Sequence, residues 1–135
     1  NPKLMRYITT YKGNPLVTST IVSGIIKQET NWDAGAVGYS DLDDLGLVQI
    51  NGRAWPDLTL TQRLWPIGCF KFVIDYLTSA LSQLNNNLRD SIASYNLGVA
   101  GARKWIAAGR PDYWKPSETS SLRNVKGYID TVLAG

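Results

Sequence analysis

The sequence predicts a mostly α-helical protein, a single compact domain with one glycine-rich excursion around residues 33–57 that carries short β structure. Three observations lead to this fold class. The chain has 135 residues, 44% of them hydrophobic, which suits one domain with an ordinary core. Apolar residues recur at helical spacing through most of the chain. Glycines at positions 35, 38, 46 and 52 interrupt that spacing.

The individual helices follow from the residues that begin and end them. A first short helix is predicted over residues 3–12. Asn14-Pro15 offers a cap residue followed by a proline at the first helical position, which predicts a second helix from there to about Asn31. Trp65-Pro66 opens a third helix, which the asparagines at positions 85–87 close. Later helices are predicted over about 88–95, 99–108 and 118–134.

The counts of histidine and cysteine exclude several kinds of catalytic site. The chain has no histidine and one cysteine, Cys69. A Ser-His-Asp triad, a Cys-His pair, most zinc sites and an internal disulfide bond are therefore excluded. Catalysis must use carboxylates, hydroxyls, amides or lysine, and we expect no cofactor and no metal ion. Cys69 stands in the apolar run Ile67-Gly68-Cys69-Phe70, which predicts a buried core residue.

The charge pattern limits the classes of partner that the protein can bind. The net charge is +3 and the pI about 9.1, with basic residues scattered from Lys3 to Lys126. We expect no nucleic-acid binding, because a nucleic-acid surface clusters its basic residues more tightly. A mild positive charge suits a protein that works near an anionic polymer. No apolar run is long enough for membrane insertion, and Asn1 opens the chain without a signal peptide, which predicts a domain of a longer protein.

Glu29 is the strongest candidate for a catalytic acid. It is one of only two glutamates, and helical spacing places it on the same apolar face as Val22 and Ile25. Burial disfavours a charged carboxylate, as does the negative end of a helix, so both effects raise the pKa of Glu29. A raised pKa keeps a general acid protonated near neutral pH. Periodicity alone leaves open a carboxylate that reaches solvent or pairs with a base.

Four motifs occur in a fixed order along the chain. They are Glu29-Thr30, Gly46-Leu47-Val48-Gln49-Ile50-Asn51, Ala93-Ser94-Tyr95-Asn96-Leu97-Gly98, and Tyr128 in the last predicted helix. Over about residues 15–132 they resemble the soluble lytic transglycosylase (SLT) domain, whose motifs are Glu-Ser, Gly-Leu-Met-Gln, Ala-Tyr-Asn-x-Gly and a late tyrosine. Thr30 keeps the hydroxyl of the usual serine. Val48 replaces methionine, Ser94 replaces alanine, and the acidic stretch 41–44 replaces small residues.

The resemblance implies that residues 1–135 form a lysozyme-like domain that cleaves peptidoglycan between N-acetylmuramic acid and N-acetylglucosamine. It implies that Glu29 acts first as acid and then as base, while the 2-acetamido group of the sugar assists. The product then carries a 1,6-anhydro end, and no water is consumed. Substrate-binding roles are implied for Thr30, Gln49, Tyr95, Asn96 and Tyr128.

The other carboxylates receive weaker assignments. Asp33, Asp41, Asp43 and Asp44 are interpreted as a solvated acidic loop, with a second catalytic carboxylate, as in lysozymes that use water, as the alternative. Their spacing does not match a calcium-binding EF-hand loop. Glu118 is expected in the opening turn of the last helix, where the helix dipole favours a carboxylate.

Tryptophan side chains are candidates for stacking on sugar rings. Trp32 and Trp55 flank the glycine-rich region, so they are the better candidates among the five tryptophans. Trp105 falls within a predicted helix and is expected in the core. None of the three belongs to the ordered motifs, so they support a sugar-binding cleft only indirectly.

Two other functions remain open at this point. A goose-type lysozyme would share the fold and the substrate but would use water, so each new end would be heavier by one water. A wall-binding or structural module would keep the fold without catalysis, and the intact Glu29 argues against it. The resemblance implies action at the bacterial cell wall or periplasm. The expected setting is a larger parent protein, secreted or carried in a bacteriophage particle.

Overall fold

A computed structural model of the protein describes residues 2, 6, 7, 11, 13–38 and 43–135. Within these residues the mostly helical fold class is confirmed, and the predicted helix over 3–12 falls largely outside them. No helix in this part of the chain is long and apolar enough to cross a membrane. The elements in chain order are α1 (Ser19–Thr30), β1 (Asp44–Leu45), β2 (Ile50–Asn51), α2 (Leu60–Leu64), α3 (Pro66–Gln83), α4 (Leu88–Ala107), β3 (Tyr113–Trp114), β4 (Arg123–Asn124) and α5 (Val125–Ala134).

Helix α1 begins later than the sequence predicts. The prediction that Asn14-Pro15 starts the helix is wrong, because the Asn14 side chain accepts a hydrogen bond from the Leu16 N–H at 2.9 Å and forms a local turn instead. Thr18 is the residue that caps α1 through its side chain. The predicted end is confirmed, since Asn31 adopts a left-handed conformation with φ 50°.

Helices α1 and α5 approach each other unusually closely. A Cβ atom added to Gly24 would overlap the backbone carbonyl of Val132, so glycine is required where the two helices meet. The core around this contact is built from the apolar faces of the main helices and is fully or almost fully buried. Its members include Val22, Ile25, Ile26, Val73, Leu77, Leu81, Ile92, Ile129 and Val132.

Helix α3 starts at Pro66, as the sequence predicts, and ends at Gln83. Cys69 lies on its inner face and is fully buried, which confirms the prediction of a core residue. Burial raises the pKa of the Cys69 thiol to about 11, so the thiol stays protonated at neutral pH. Helix α2, which precedes α3 and is capped by Thr59, was not predicted.

Helix α4 contains the interruption that the sequence predicts between residues 95 and 99. Gly98 has φ 73° and ψ 162°, which breaks the helical conformation between two helical parts. A Cβ atom added to Gly98 would meet nothing within 4 Å, so the requirement for glycine there comes from backbone conformation rather than space. The break turns Asn96 and Gly98 toward the lining of a cleft.

Residues 33–38 and 43–57 form loop with a short antiparallel pair, as predicted. Strands β1 and β2 pair Asp44 with Asn51 and Leu45 with Ile50. Gly46 makes the tight connection possible with φ 80°. We refer to β1, β2 and their connection as the hairpin.

The predicted start of the last helix at residue 118 is wrong. Strands β3 and β4 pair antiparallel and hold residues 123–124 extended, so α5 can begin only at Val125. Asn124 caps α5 by accepting a hydrogen bond from the Gly127 N–H at 2.9 Å. Glu118 therefore lies in the exposed connection between β3 and β4, outside any helix.

We expect Gly24→Ala to destabilise the fold, because the new methyl group must push α1 away from α5. A loss of about 1–3 kcal/mol is typical of such overpacking, and urea unfolding of the purified chain measures it. Gly35→Ala is the matched control, since Gly35 is exposed and its added Cβ would make only ordinary contact. Equal unfolding midpoints for the two variants would contradict the close packing of α1 on α5.

Candidate active site

A cleft of about 850 Å³ is lined by the hairpin, the last turn of α1, the middle of α3, the break in α4 and the first half of α5. Its lining is mostly polar, and it combines side chains from sequence positions that lie far apart. Of the residues with predicted site roles, those that line the cleft are Glu29, Gln49, Tyr95, Asn96 and Tyr128.

Glu29 occupies the last turn of α1 and is partly buried at the cleft floor. Burial raises the pKa of its carboxyl from 4.5 to about 7, and the negative charge of Asp44 contributes to the rise. A hydrogen bond from the Tyr128 hydroxyl, at 2.7 Å to Oε1, acts in the opposite direction and lowers the pKa. The net result is a carboxyl whose pKa lies near neutrality, which suits a group that gives and then takes a proton.

Tyr128 reaches Glu29 from α5. Its side chain is only 7% exposed, and burial raises the pKa of its hydroxyl well above 10, so the hydroxyl remains a hydrogen-bond donor. The bond to Oε1 leaves Oε2 of Glu29 without this restraint. Tyr128 thus fixes one carboxyl oxygen and leaves the other for a ligand in the cleft.

Three predicted site residues donate hydrogen bonds that hold the hairpin in place. The Tyr95 hydroxyl donates to the Val48 carbonyl at 2.7 Å. The Thr30 hydroxyl donates to the Leu47 carbonyl at 2.8 Å, and Thr30 does not line the cleft. The amide nitrogen of Gln49 donates to the Gly46 carbonyl at 3.1 Å and to a second carbonyl at 3.3 Å, which leaves its amide oxygen to accept from a ligand.

Asn96 is oriented by a residue that sequence reasoning missed. Arg123, on β4, donates from Nη1 to the Asn96 backbone carbonyl at 2.7 Å and to its side-chain oxygen at 3.2 Å. The Asn96 amide nitrogen is therefore the group left to donate to a ligand. Arg123 is the one cationic side chain that the described residues place in the cleft lining. No motif or periodicity marks it, because its contact depends on β4 returning beside the break in α4.

The aspartates take different positions. Asp44 lines the cleft from β1, and its Oδ1 accepts a hydrogen bond from the Asn51 amide at 2.8 Å. Asp43 pairs instead with Arg53 and Arg63, each at 3.5 Å. Asp33 and its loop are exposed, and Asp41 lies outside the described residues. The part of the chain that the structure describes contains no group of three His, Cys, Asp or Glu side chains that could hold a metal ion.

The three tryptophans considered as candidates lie in different environments. Trp55 is 42% exposed, lines the cleft and meets Phe72 edge to face with ring centroids 5.1 Å apart. Trp32 packs against Phe70 and lies outside the cleft lining. Trp105 is 4% exposed and donates from its indole nitrogen to the Pro111 carbonyl at 2.8 Å, which confirms the predicted core position.

A family model described as "Transglycosylase SLT domain" matches residues 6–115, and the chain belongs to this family. The match ends before Tyr128, so the place of Tyr128 in the site rests on its bond to Glu29. A search of curated proteins finds no match.

Two solved structures share the fold. The 70 kDa soluble lytic transglycosylase of Escherichia coli matches with a TM-score of 0.67 and 23% identity over 99% of this chain and 23% of that chain. An inactive glutamate-to-glutamine mutant of the lytic transglycosylase Slt of Pseudomonas aeruginosa matches with a TM-score of 0.67 and 19% identity over 98% of this chain and 22% of that chain. The chain thus spans less than a quarter of the length of either protein.

We expect Tyr128→Phe to raise the pKa of Glu29, because the lost hydrogen bond stabilised the ionised carboxylate. If Glu29 must be protonated to act, the alkaline limb of the pH profile should move to higher pH. Turbidity clearing of purified cell walls across pH 5–9, roughly centred on the Glu29 pKa, measures the shift.

The matched control is Tyr113→Phe, since Tyr113 is 60% exposed and lies outside the cleft lining. Its pH profile should overlay that of the unmodified chain. An alkaline limb that stays in place, or moves to lower pH, in Tyr128→Phe would show that the hydroxyl does not tune Glu29.

Proposed function

We propose that this domain is a peptidoglycan lytic transglycosylase that cleaves the β-1,4 bond between N-acetylmuramic acid and N-acetylglucosamine and leaves 1,6-anhydro ends. The observation that carries the proposal is the Glu29 carboxyl, with a pKa of about 7, at the floor of a polar cleft and 2.7 Å from the Tyr128 hydroxyl. Membership in the transglycosylase SLT family supports the substrate class.

In the first step, protonated Glu29 donates its proton to the bridging oxygen as the bond from that oxygen to C1 breaks. The oxygen of the neighbouring 2-acetamido group bonds to C1 and carries the positive charge that develops there. The N-acetylglucosamine part leaves with a free hydroxyl. Glu29 is now a carboxylate, and the Tyr128 hydrogen bond stabilises it in this state.

In the second step, the Glu29 carboxylate takes the proton of the muramic C6 hydroxyl. The C6 oxygen bonds to C1 as the acetamido oxygen leaves it, which closes the 1,6-anhydro ring and returns Glu29 to its protonated form. The atoms balance without water. A pKa near the working pH suits this double role, because neither protonation state is strongly favoured.

The remaining lining groups suit the binding of amino sugars. The Gln49 amide oxygen accepts and the Asn96 amide nitrogen donates, so together they can bind hydroxyl and acetamido groups. The exposed Trp55 ring offers an apolar face for a sugar ring. We assign Tyr95 and Thr30 to support of the hairpin, since their hydroxyls bond to backbone carbonyls.

The setting is part of the proposal. Action at the bacterial cell wall or periplasm follows from the substrate, and a larger parent protein is consistent with relatives more than four times as long, of which this chain covers 23% and 22%. We retain a virion-associated or secreted protein as the specific setting. A module that binds walls without catalysis is disfavoured by the pKa of Glu29, since such a module has no need of a protonated carboxyl.

Product mass tests the reaction directly. Purified sacculi digested with the chain should yield muropeptides that are lighter by one water than hydrolysis products and resist borohydride reduction at the new end. Both properties follow from the closed anhydro ring, which lacks a reducing group. If every new end is reducible, the transglycosylase proposal is wrong.

We expect Glu29→Gln to abolish wall clearing and to stabilise the fold at alkaline pH. Folding raises the pKa of Glu29 from 4.5 to about 7, so the folded state binds this proton more tightly than the unfolded state. The unmodified chain therefore loses stability as the pH rises from about 4.5 to about 7, and the glutamine variant escapes that loss. The gain should be on the order of 1–3 kcal/mol at pH 8 and near zero at pH 4.

Urea unfolding at the two pH values measures the gain, and Glu118→Gln is the matched control because Glu118 is exposed and is not part of the cleft lining. The control should keep both its activity and its stability profile. Wall clearing that survives in Glu29→Gln would remove Glu29 from the role of acid.

A further inference from the structure

Arg123 brings a positive charge into the cleft lining, and only one of its nitrogen atoms is engaged there. Both of its hydrogen bonds start from Nη1 and end on Asn96, at 2.7 Å to the backbone carbonyl and 3.2 Å to the side-chain oxygen. Within the described part of the chain, no carboxylate forms an ion pair with this guanidinium. The N–H groups on Nε and Nη2 are therefore left for a ligand or for water.

The remaining edge of the Arg123 guanidinium has the shape that binds a carboxylate. Nε and Nη2 carry N–H groups that point the same way and match the two oxygens of a carboxylate group. Arg110 uses this edge elsewhere in the same protein, where Nε and Nη2 donate to the two carboxylate oxygens of Asp90 at 2.9 Å and 2.8 Å. A protein carboxylate thus fills the fork of Arg110, whereas the described residues leave the fork of Arg123 open.

The acidity of Glu29 and the contact with Asn96 do not account for the charge of Arg123. Burial, the Tyr128 hydroxyl and Asp44 set the pKa of Glu29, and Arg123 is not among these causes. The carbonyl and amide oxygens of Asn96 need a donor but not a full positive charge. Because the described lining also holds the Glu29 and Asp44 carboxyl groups, which disfavour an anion, Arg123 marks the place in it where an anionic group is favoured.

Asn96 connects this fork to the sugar-binding part of the cleft. Its amide oxygen accepts from Nη1 of Arg123, and its amide nitrogen is the group that we assign to a sugar. A sugar bound to that nitrogen lies beside the guanidinium, so a substituent on this sugar or on its neighbour can reach Nε and Nη2. N-acetylglucosamine carries no charged substituent. The muramic residue carries a lactyl arm, whose carboxyl group is either free or extended by a peptide with carboxylates of its own.

We propose that Arg123 is a specificity residue that binds a carboxylate on the lactyl arm of the muramic residue, so that the cleft prefers glycan strands that carry this charge. The inference rests on the proposed function for its substrate. Two sources on the arm provide the same chemistry, the lactyl carboxylate of a strand without peptide and the carboxylates of a stem peptide. Nη1 stays with Asn96, so one side chain both orients the sugar-binding amide and recognises the charge.

The test measures binding, so that its result does not depend on the kind of end that cleavage leaves. Glu29→Gln serves as the parent chain, because glycan strands should stay intact in it, and isothermal titration calorimetry gives the Kd. Four soluble probes are compared: strands with stem peptides, strands stripped of peptides by an amidase, and both kinds after carbodiimide coupling to methylamine, with the stem amines acetylated beforehand. Methylamide formation removes the carboxylate charge and keeps the arm at nearly the same size.

We expect charged strands to bind the parent chain about 10-fold more tightly than their methylamides, the lower range for hydrogen bonds to a charged group. Adding Arg123→Gln should abolish this ratio, because glutamine provides neither the fork nor the charge. Adding Arg123→Lys should leave a ratio of about threefold, since lysine is a point charge without a fork. The lost contact with Asn96 should weaken the binding of all four probes by the same factor and leave the ratio unaffected.

Arg103→Gln is the matched control, since it removes the same charge from an exposed position on α4 outside the cleft lining. Its ratio of Kd values should equal that of the parent chain. Thermal unfolding of each variant verifies that it is folded. If Arg123→Gln does not fold, Arg123→Lys decides, and an undiminished ratio in that variant overturns the inference.

The four probes also identify the source of the carboxylate. A ratio seen only with peptide-bearing strands, or only with stripped strands, supports the inference and assigns the charge to the peptide or to the lactyl carboxyl. Equal binding of charged and methylamide strands, or a ratio that survives in folded Arg123→Gln, overturns the inference while the proposed function stands. Reducible ends from the active chain would instead overturn the transglycosylase route and leave the binding ratio intact. Absence of binding to every probe would contradict both.

Discussion

The hydrogen bond between Tyr128 and Glu29 joins residues 99 positions apart and is the interaction on which the site depends. It forms because α1 and α5 pack so closely that only glycine fits at position 24, against Val132. The same packing buries the Glu29 carboxyl and raises its pKa. The hydrogen bond and the raised pKa of Glu29 are thus two consequences of the close packing of α1 on α5.

The hairpin presents a different physical problem, because strands of two residues cannot stabilise themselves. Side chains from elsewhere bond to its backbone carbonyls and hold it in place. Thr30 and Tyr95 bond to Leu47 and Val48, while buried Arg63 donates from Nε to the Ile50 carbonyl at 3.2 Å. Thr30 and Tyr95 therefore hold the shape of the hairpin, whether or not they also touch a ligand.

Opposed effects act on the Glu29 carboxyl in the cleft, and burial is the largest of them. Burial and the charge of Asp44 disfavour ionised Glu29, whereas the Tyr128 hydroxyl favours it. Their balance places the pKa near neutrality, where a proton can move in either direction at modest cost. Arg123 also lines the cleft and fixes the orientation of the Asn96 amide, so this amide is oriented before any ligand arrives.

The sequence alone determined features that depend on neighbours within a few residues. Apolar spacing gave the helices and placed Glu29 on a buried face, Gly98 marked the break in α4, and the apolar run around residue 69 identified the buried Cys69. The ordered motifs added several of the residues that line the cleft, among them Gln49, Asn96 and Tyr128.

Tertiary structure decided the features for which local signals compete or distant segments must meet. The start of α5 depends on the pairing of β3 with β4, which no pattern within the helix contains. The roles of Thr30, Asp44 and Arg123 likewise depend on partners that lie 17, 7 and 27 residues away. Short-range periodicity encodes which face of a helix is buried. Only tertiary packing decides which side chains of other elements contact that face.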